Sequence, residues 1–171
     1  MRLKYKGRAY KFSDNINTDF IISGRYKFSI TDLEELSKHI FEDIRPNFYK
    51  ELRPGESILV AGENFGMGSS REQAPWVIKS SGIICVIAKS FARIFYRNSF
   101  NIGLALIEAD TSQIKERDLL EVDVEKGLMK NLSQNIEIKF PIWSSFQKEL
   151  VKEGGIINYL EKHKGFPSKM K

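Results

Sequence analysis

Short apolar runs alternate with helical periodicities through the middle of the chain, and that alternation sets the expected fold class. SILVAG (57–62), IICVIA (83–88) and LALIEAD (104–110) are short and almost continuously apolar, as buried strands are. Between them lie two helical stretches: one from about Glu72 to Ser81, ended by Gly82, and SFARIFYRNSFNI (90–102), capped by Ser90 and ended by Gly103. Strand, helix, strand, helix, strand predicts a mixed α/β core. The first twelve residues alternate moderately and predict another strand. SDNINTDFIISGRYKFS (13–29) reads as an irregular loop with an apolar insert at Phe20 to Ile22. Thr31 and Glu34 form a capping-box pair opening a helix over 31–44, with Leu33, Leu36, Ile40 and Phe41 on one face. Pro46 and Pro54 bracket a linker. LLEVDV, the turn EKG and LMKNL predict a hairpin, IEIKFPI (136–142) a further strand, and 144–163 one or two helical pieces. There is no internal repeat and no low-complexity tract.

Composition narrows the class. At 171 residues and 42% hydrophobic content, the chain suits one globular unit over 1–171. No apolar run reaches the length of a membrane span, and MRLKYKGRAYKF lacks the apolar stretch of a signal peptide, so the expected compartment is the cytoplasm. The one cysteine, Cys85, lies in a buried-strand pattern. Alone it supplies neither a disulfide nor the ligands of a zinc or iron–sulfur site, so a metal would have to come with a partner. A net charge of +5 and a pI near 9.2 raise the alternative of a non-catalytic anion or nucleic-acid binding module. Much of the excess is local. Residues 162–171 carry Lys162, Lys164, Lys169 and Lys171 without an acid and read as a flexible basic tail. Nor are aromatic and basic residues interleaved on one face, as base stacking requires.

The informative stretch is GENFGMGSSREQAP, 62–75. Ser69 and Glu72 have capping-box spacing, but a helix starting there would place Pro75 at its sixth position, at a cost of about 3 kcal/mol. A start near Glu72 to Ala74 puts the proline in the first turn and leaves Gly66, Gly68, Ser69 and Ser70 on a loop ahead of a helix N-terminus. Such a loop offers N–H donors and positive potential to an anion, and Arg71 adds a fork matched to a carboxylate or phosphate; a purely structural turn is the alternative. The spacing is neither a Walker A motif nor a dinucleotide fingerprint. A serine here could act as base or nucleophile if neighbouring dipoles stabilise its alkoxide. His39 and His163 are not placed to activate it. Arg93 and Arg97, four apart on one helical face, read as a solvated or structural stripe before a second anion site.

GENFGMGSSREQAP followed by VIAKSFARIFYRNSFNIGL resembles the swivelling domain of the aconitase superfamily, and from NTDFII to GGIINYL the chain is similar to that family's free-standing small subunits, those of 3-isopropylmalate dehydratase and homoaconitase. The resemblance implies a swivelling β/β/α domain with a mixed sheet flanked by helices. It implies a hydro-lyase active only with a large subunit that carries a [4Fe–4S] cluster, with no cofactor on this chain. By resemblance Ser69 is the base that takes a proton from carbon, Ser70 and Arg71 bind a substrate carboxylate, and Asp19 belongs to the site rim. Gln73 stands where many members have histidine, and Met67 where cysteine is common. Members acting on tricarboxylates place an arginine shortly after the glycine of the SGRYKFSI loop; matching Gly24 and Tyr26 brings Phe28 there. A ring packs on an isopropyl group and cannot pair a carboxylate, so the resemblance favours an alkylmalate. Lys27 or Arg25 swinging inward would instead favour homoaconitate. A methylated malate such as 2,3-dimethylmalate is a third option.

Overall fold

The computed structural model describes residues 3–167. Within them lie seven strands: β1 (Lys4–Lys11), β2 (Ser57–Val60), β3 (Ile83–Ala88), β4 (Ala105–Glu108), β5 (Leu119–Asp123), β6 (Leu128–Asn131) and β7 (Ile136–Lys139). They form one mixed sheet in the order β4-β3-β2-β1-β5-β6-β7. β1 to β4 run parallel, and β5 to β7 attach antiparallel on the other side of β1. The parallel half is covered on both faces, so β2 is buried at all four positions, whereas β6 and β7 alternate as one-sided strands do.

Four longer helices flank the sheet: α5 (Gln73–Ser80), α6 (Arg93–Asn101), α7 (Ser145–Glu153) and α8 (Ile156–His163). α5 starts where Pro75 requires, with the proline buried in its first turn, and Gly82 and Gly103 follow the ends of α5 and α6 at φ +85° and +74°. Four one-turn pieces, α1 (Thr18–Ile21), α2 (Gly24–Lys27), α3 (Leu33–Ser37) and α4 (Phe48–Glu51), fill stretches that read as loop, linker or a longer helix.

The helix expected over 31–44 is the main correction. Its cap is Asp32, whose Oδ1 accepts the Glu35 N–H at 2.8 Å, and its regular part ends at Ser37. Phe41 then adopts φ +55°, donates its N–H to the Ile21 carbonyl at 2.9 Å and stacks its buried ring on Phe12, centroids 4.3 Å apart. Tertiary packing outweighs both helix propensity and the cost of a left-handed aromatic residue. Ser90 is not the cap of α6 either. Ala92 takes that place, and Ser90 Oγ accepts the Asn64 N–H at 2.8 Å. The basic stretch begins later than expected, because Lys162 and His163 belong to α8 and Lys162 pairs with Glu153 at 2.6 Å. Lys169 and Lys171 lie outside the described residues. Cys85 is buried in β3, and burial pushes its thiol pKa up.

Candidate functional site

Three loops leave the carboxyl ends of β1, β2 and β3, the side of an open parallel sheet where ligands bind. The loop after β2 carries the glycines and serines, and its shape is dictated by its neighbours. Asp14 Oδ1 accepts the Glu63 N–H at 2.7 Å and lies against Gly62, where a side chain would collide with it. Gly66 donates to the Ile16 carbonyl at 2.8 Å, and Thr18 donates its N–H to the Met67 carbonyl at 2.9 Å. At Gly66, φ is +82° and a Cβ would run into the Phe95 ring; at Gly68, φ is +98° and a Cβ would stand 2.6 Å from Asn17 Oδ1. Both positions demand glycine on conformation and on space.

That backbone presents Ser69 and Ser70 at the surface. Thr18, itself buried, donates its hydroxyl to the Ser69 carbonyl at 3.1 Å and so pins the loop from below. Arg71 turns back over it: Nε donates to Ser69 Oγ at 3.1 Å, Nη1 to the Ile22 carbonyl at 3.3 Å, and Nη2 pairs with Asp19 Oδ1 at 2.6 Å. Asp19 in turn is oriented by Asn17, whose Oδ1 accepts its N–H at 2.9 Å. The expected residues Ser69, Ser70, Arg71 and Asp19 therefore converge. Among the described residues, the N–H groups of Ser69 and Ser70 meet no protein acceptor. A guanidinium donor on a serine oxygen favours that oxygen as alkoxide, and free N–H groups beside it suit an anion.

A cavity of about 290 Å³ opens between this loop and the start of α6, lined by Gly68, Ser69, Ser70, Arg71, Arg93 and Asn98 among others. Thr18 carries no local signal of its role, and the spacing of Arg93 and Arg97 favours a solvated or structural stripe over a second anion site. Arg93 lines the cavity, and Arg97, one turn on, does not. Cavity lining is a tertiary property, and no local spacing encodes it.

The loop expected to select the substrate lies alongside. Phe28 follows α2 and is 82% exposed, which excludes a core role. A Cβ placed on Gly24 would lie 3.5 Å from the Phe28 ring and 3.9 Å from Arg71 Nη1, so ring and guanidinium flank the same glycine. Lys27 borders a separate groove with Leu36, Gln73 and Trp76, its Nζ 5.6 Å from the Phe28 ring centroid. Arg25 points elsewhere, paired with Asp43 and lying over the Tyr26 ring. Among the described residues no group of three or more His, Cys, Asp or Glu side chains is placed to hold a metal ion.

The aconitase C-terminal domain family matches residues 1–112, the stretch that holds the parallel half-sheet and every loop of the cavity. The 3-isopropylmalate dehydratase small subunit 1 of Thermotoga maritima is 50% identical over 163 residues, covering 95% of this chain and 98% of its own. The chain belongs to the 3-isopropylmalate dehydratase small-subunit family. Small subunit 2 of Archaeoglobus fulgidus is also 50% identical, covering 94% of this chain and 97% of its own. A crystal structure of a member from Methanocaldococcus jannaschii superposes with a TM-score of 0.90 at 48% identity, covering 95% of this chain and 96% of that one. The small-subunit fold, a seven-stranded mixed sheet flanked by helices, thus extends through the antiparallel half and α7 and α8, beyond the matched domain.

Proposed function

We propose that this chain is the serine-bearing small subunit of a cytoplasmic 3-isopropylmalate dehydratase, which interconverts 2- and 3-isopropylmalate by dehydration and rehydration in leucine biosynthesis. The observation that carries this is the contact between Arg71 Nε and Ser69 Oγ, 3.1 Å, on a loop where the Ser69 and Ser70 N–H groups meet no acceptor among the described residues. Ser69 takes the proton from the substrate carbon as an alkoxide, stabilised by the guanidinium that touches it. Ser70 and the remaining Arg71 donors hold a carboxylate. Asp19 fixes the far end of Arg71 and, sharing its sign with the substrate, acts on the fork rather than on the ligand. Phe28 offers the isopropyl group an apolar surface beside Arg71, and Lys27 borders it from the neighbouring groove.

The iron–sulfur cluster implied by the resemblance does not fit this chain. A single buried cysteine is no donor set, and we assign the cluster, with the Lewis acidity that draws off the hydroxyl group, to the large partner subunit. The chain alone is then inactive. Of the basic stretch that raised the nucleic-acid alternative, Lys162 is taken up within α8 by its pair with Glu153.

The test is anaerobic reconstitution with the cluster-bearing large subunit, following hydration of isopropylmaleate against cis-homoaconitate. Wild type should prefer isopropylmaleate, and Ser69→Ala should lower kcat about 10³-fold at unchanged Tm. Full turnover by Ser69→Ala would sink the base assignment, and preference for cis-homoaconitate would overturn the substrate.

A further inference from the structure

We infer that the large subunit docks on a ring of hollows around the start of α5, with the indole of Trp76 as its anchor. The inference rests on the reading above, in which the large subunit closes over the serine loop. The hollows are contiguous through shared residues. Asn98 lines both the serine cavity and a groove of about 410 Å³ that also holds Trp76, Asn101 and Ile157. Trp76 in turn lines a second groove of about 450 Å³, with Lys27, Ile30, Leu33 and Leu36. Lys27 precedes Phe28, whose ring flanks Gly24 together with Arg71, back at the cavity. Phe28, Trp76, Ile94 and Ile157, all exposed, lie on this ring. A cluster of exposed apolar side chains around a site marks an interaction surface, where scattered ones do not.

The two tryptophans of the chain show what is unusual about Trp76. Trp143 is buried and donates its indole N–H to the Leu106 carbonyl at 2.9 Å. Trp76 is 40% exposed between two grooves, and among the described residues its N–H meets no acceptor. Lys79 sets the ring in advance: its Nζ lies 5.7 Å from the ring centroid and donates to the Ile102 carbonyl at 2.5 Å and the Gly154 carbonyl at 3.5 Å. A preset indole with an unused donor, flanked by concave surface, has the make-up of an interface hot spot. The partner's chemistry follows from the lining. Apolar side chains fill the grooves on either side of Trp76, and the amides of Asn98 and Asn101, unpaired among the described residues, suit the backbone of the segment that carries them. Of the charged residues lining the three hollows, Arg71 is paired with Asp19, which leaves Arg93 and Lys27 against Glu72 and calls for an acidic edge facing Arg93. A second copy of this chain does not meet the need, because it would cover one serine loop with another and bring no metal donors among its described residues.

The test measures association apart from turnover. The small subunit labelled with 5-fluorotryptophan gives two fluorine resonances; on anaerobic addition of the unlabelled large subunit, that of Trp76 should move and that of Trp143 should stay. By calorimetry Trp76→Ala should weaken association about 30-fold or more at unchanged Tm, Trp76→Phe should recover part of it, and Arg93→Glu should weaken it about tenfold. With the large subunit in saturating excess, Trp76→Ala should keep kcat within about threefold. Leu132→Ala and Ile142→Ala, exposed apolar positions off the ring, should bind within twofold of wild type. Should Trp76→Ala lower Tm, Ile157→Asp, at a residue 66% exposed, carries the same test. Association within twofold of wild type for the folded variant overturns the proposal, as does a Trp76 resonance that does not move. So does a small subunit that is dimeric alone and becomes monomeric with Trp76→Ala, which would make this face an interface between copies. If Trp76→Ala loses the large subunit while wild type fails to turn over isopropylmaleate, the docking surface stands and the substrate is wrong. Normal wild-type turnover with unchanged association of Trp76→Ala gives the reverse.

Discussion

The Ser69 loop and the Phe28 segment border the same guanidinium, yet they are held by different forces. The first is pinned by backbone hydrogen bonds and steric fit: Gly66 under Phe95, Gly68 against Asn17, the Ser69 carbonyl on Thr18. The second is tethered by charge and stacking. Arg25 pairs with Asp43, and Tyr26 stacks on His39 with centroids 4.0 Å apart, so α2 rests on the turns of 38–45. Those turns are fastened in their own right by Arg45, which reaches Glu51 at 2.6 Å and Glu116 at 2.8 Å. Under the function proposed here, chemistry sits where the backbone has no freedom, and selectivity sits where side chains can be exchanged without disturbing the core.

The sharpest way to break that contrast is to add the same methyl group to both regions. Gly66→Ala forces a side chain to φ +82° and into Phe95, and should cost at least about 2 kcal/mol in urea denaturation, whereas Gly24→Ala finds no atom closer than 3.5 Å and should stay within about 0.5 kcal/mol. A smaller effect, confined to selectivity, is expected of Phe28→Ala. The ring is 82% exposed, so Tm should hold, while kcat/KM for isopropylmaleate falls roughly fivefold to tenfold, the value of a lost alkyl contact.

The smallest effect is on acid stability. Hydrogen bonds from Arg45, joined by Arg117, hold the Glu51 carboxyl below a glutamate's usual 4.5, so its contribution is fully present above that value and is lost as pH falls through the depressed one. Exposure of the pair limits the gain to under about 1 kcal/mol. The stability gap between wild type and Glu51→Gln should therefore be open at pH 7 and shrink below about pH 4.5. Amide exchange in acid should rise over 38–45 before it rises over 65–71.

Much of this was legible before any coordinates. Pro75 located the start of α5, Gly82 and Gly103 the ends of two helices, and the buried runs the parallel strands, because each is a local constraint with one good solution. Ser69, Ser70, Arg71 and Asp19 were legible as candidates from residue chemistry and resemblance, and they do meet. What was not legible depended on distant partners. Phe41 breaks its helix because the Ile21 carbonyl and the Phe12 ring are there to receive it. Ser90 has the right type for a cap and spends its oxygen on Asn64. Arg93 and Arg97 are indistinguishable by spacing, and only the packing of α6 against the loop separates them.

The place of β1 in the sheet bears on how the chain assembles. β1 is an interior strand, paired with β2 on one edge and β5 on the other, and β5 begins only at Leu119. One edge of β1 stays unpaired until β5 has been made, so sheet closure waits on contacts more than a hundred residues apart, such as Arg8 with Leu119. Such non-local pairing folds slowly and leaves an open strand edge on the nascent chain. The antiparallel half, remote from the cavity, is thus the late step, and early termination before β5 would release a half-sheet that carries the whole serine loop beside an uncovered edge.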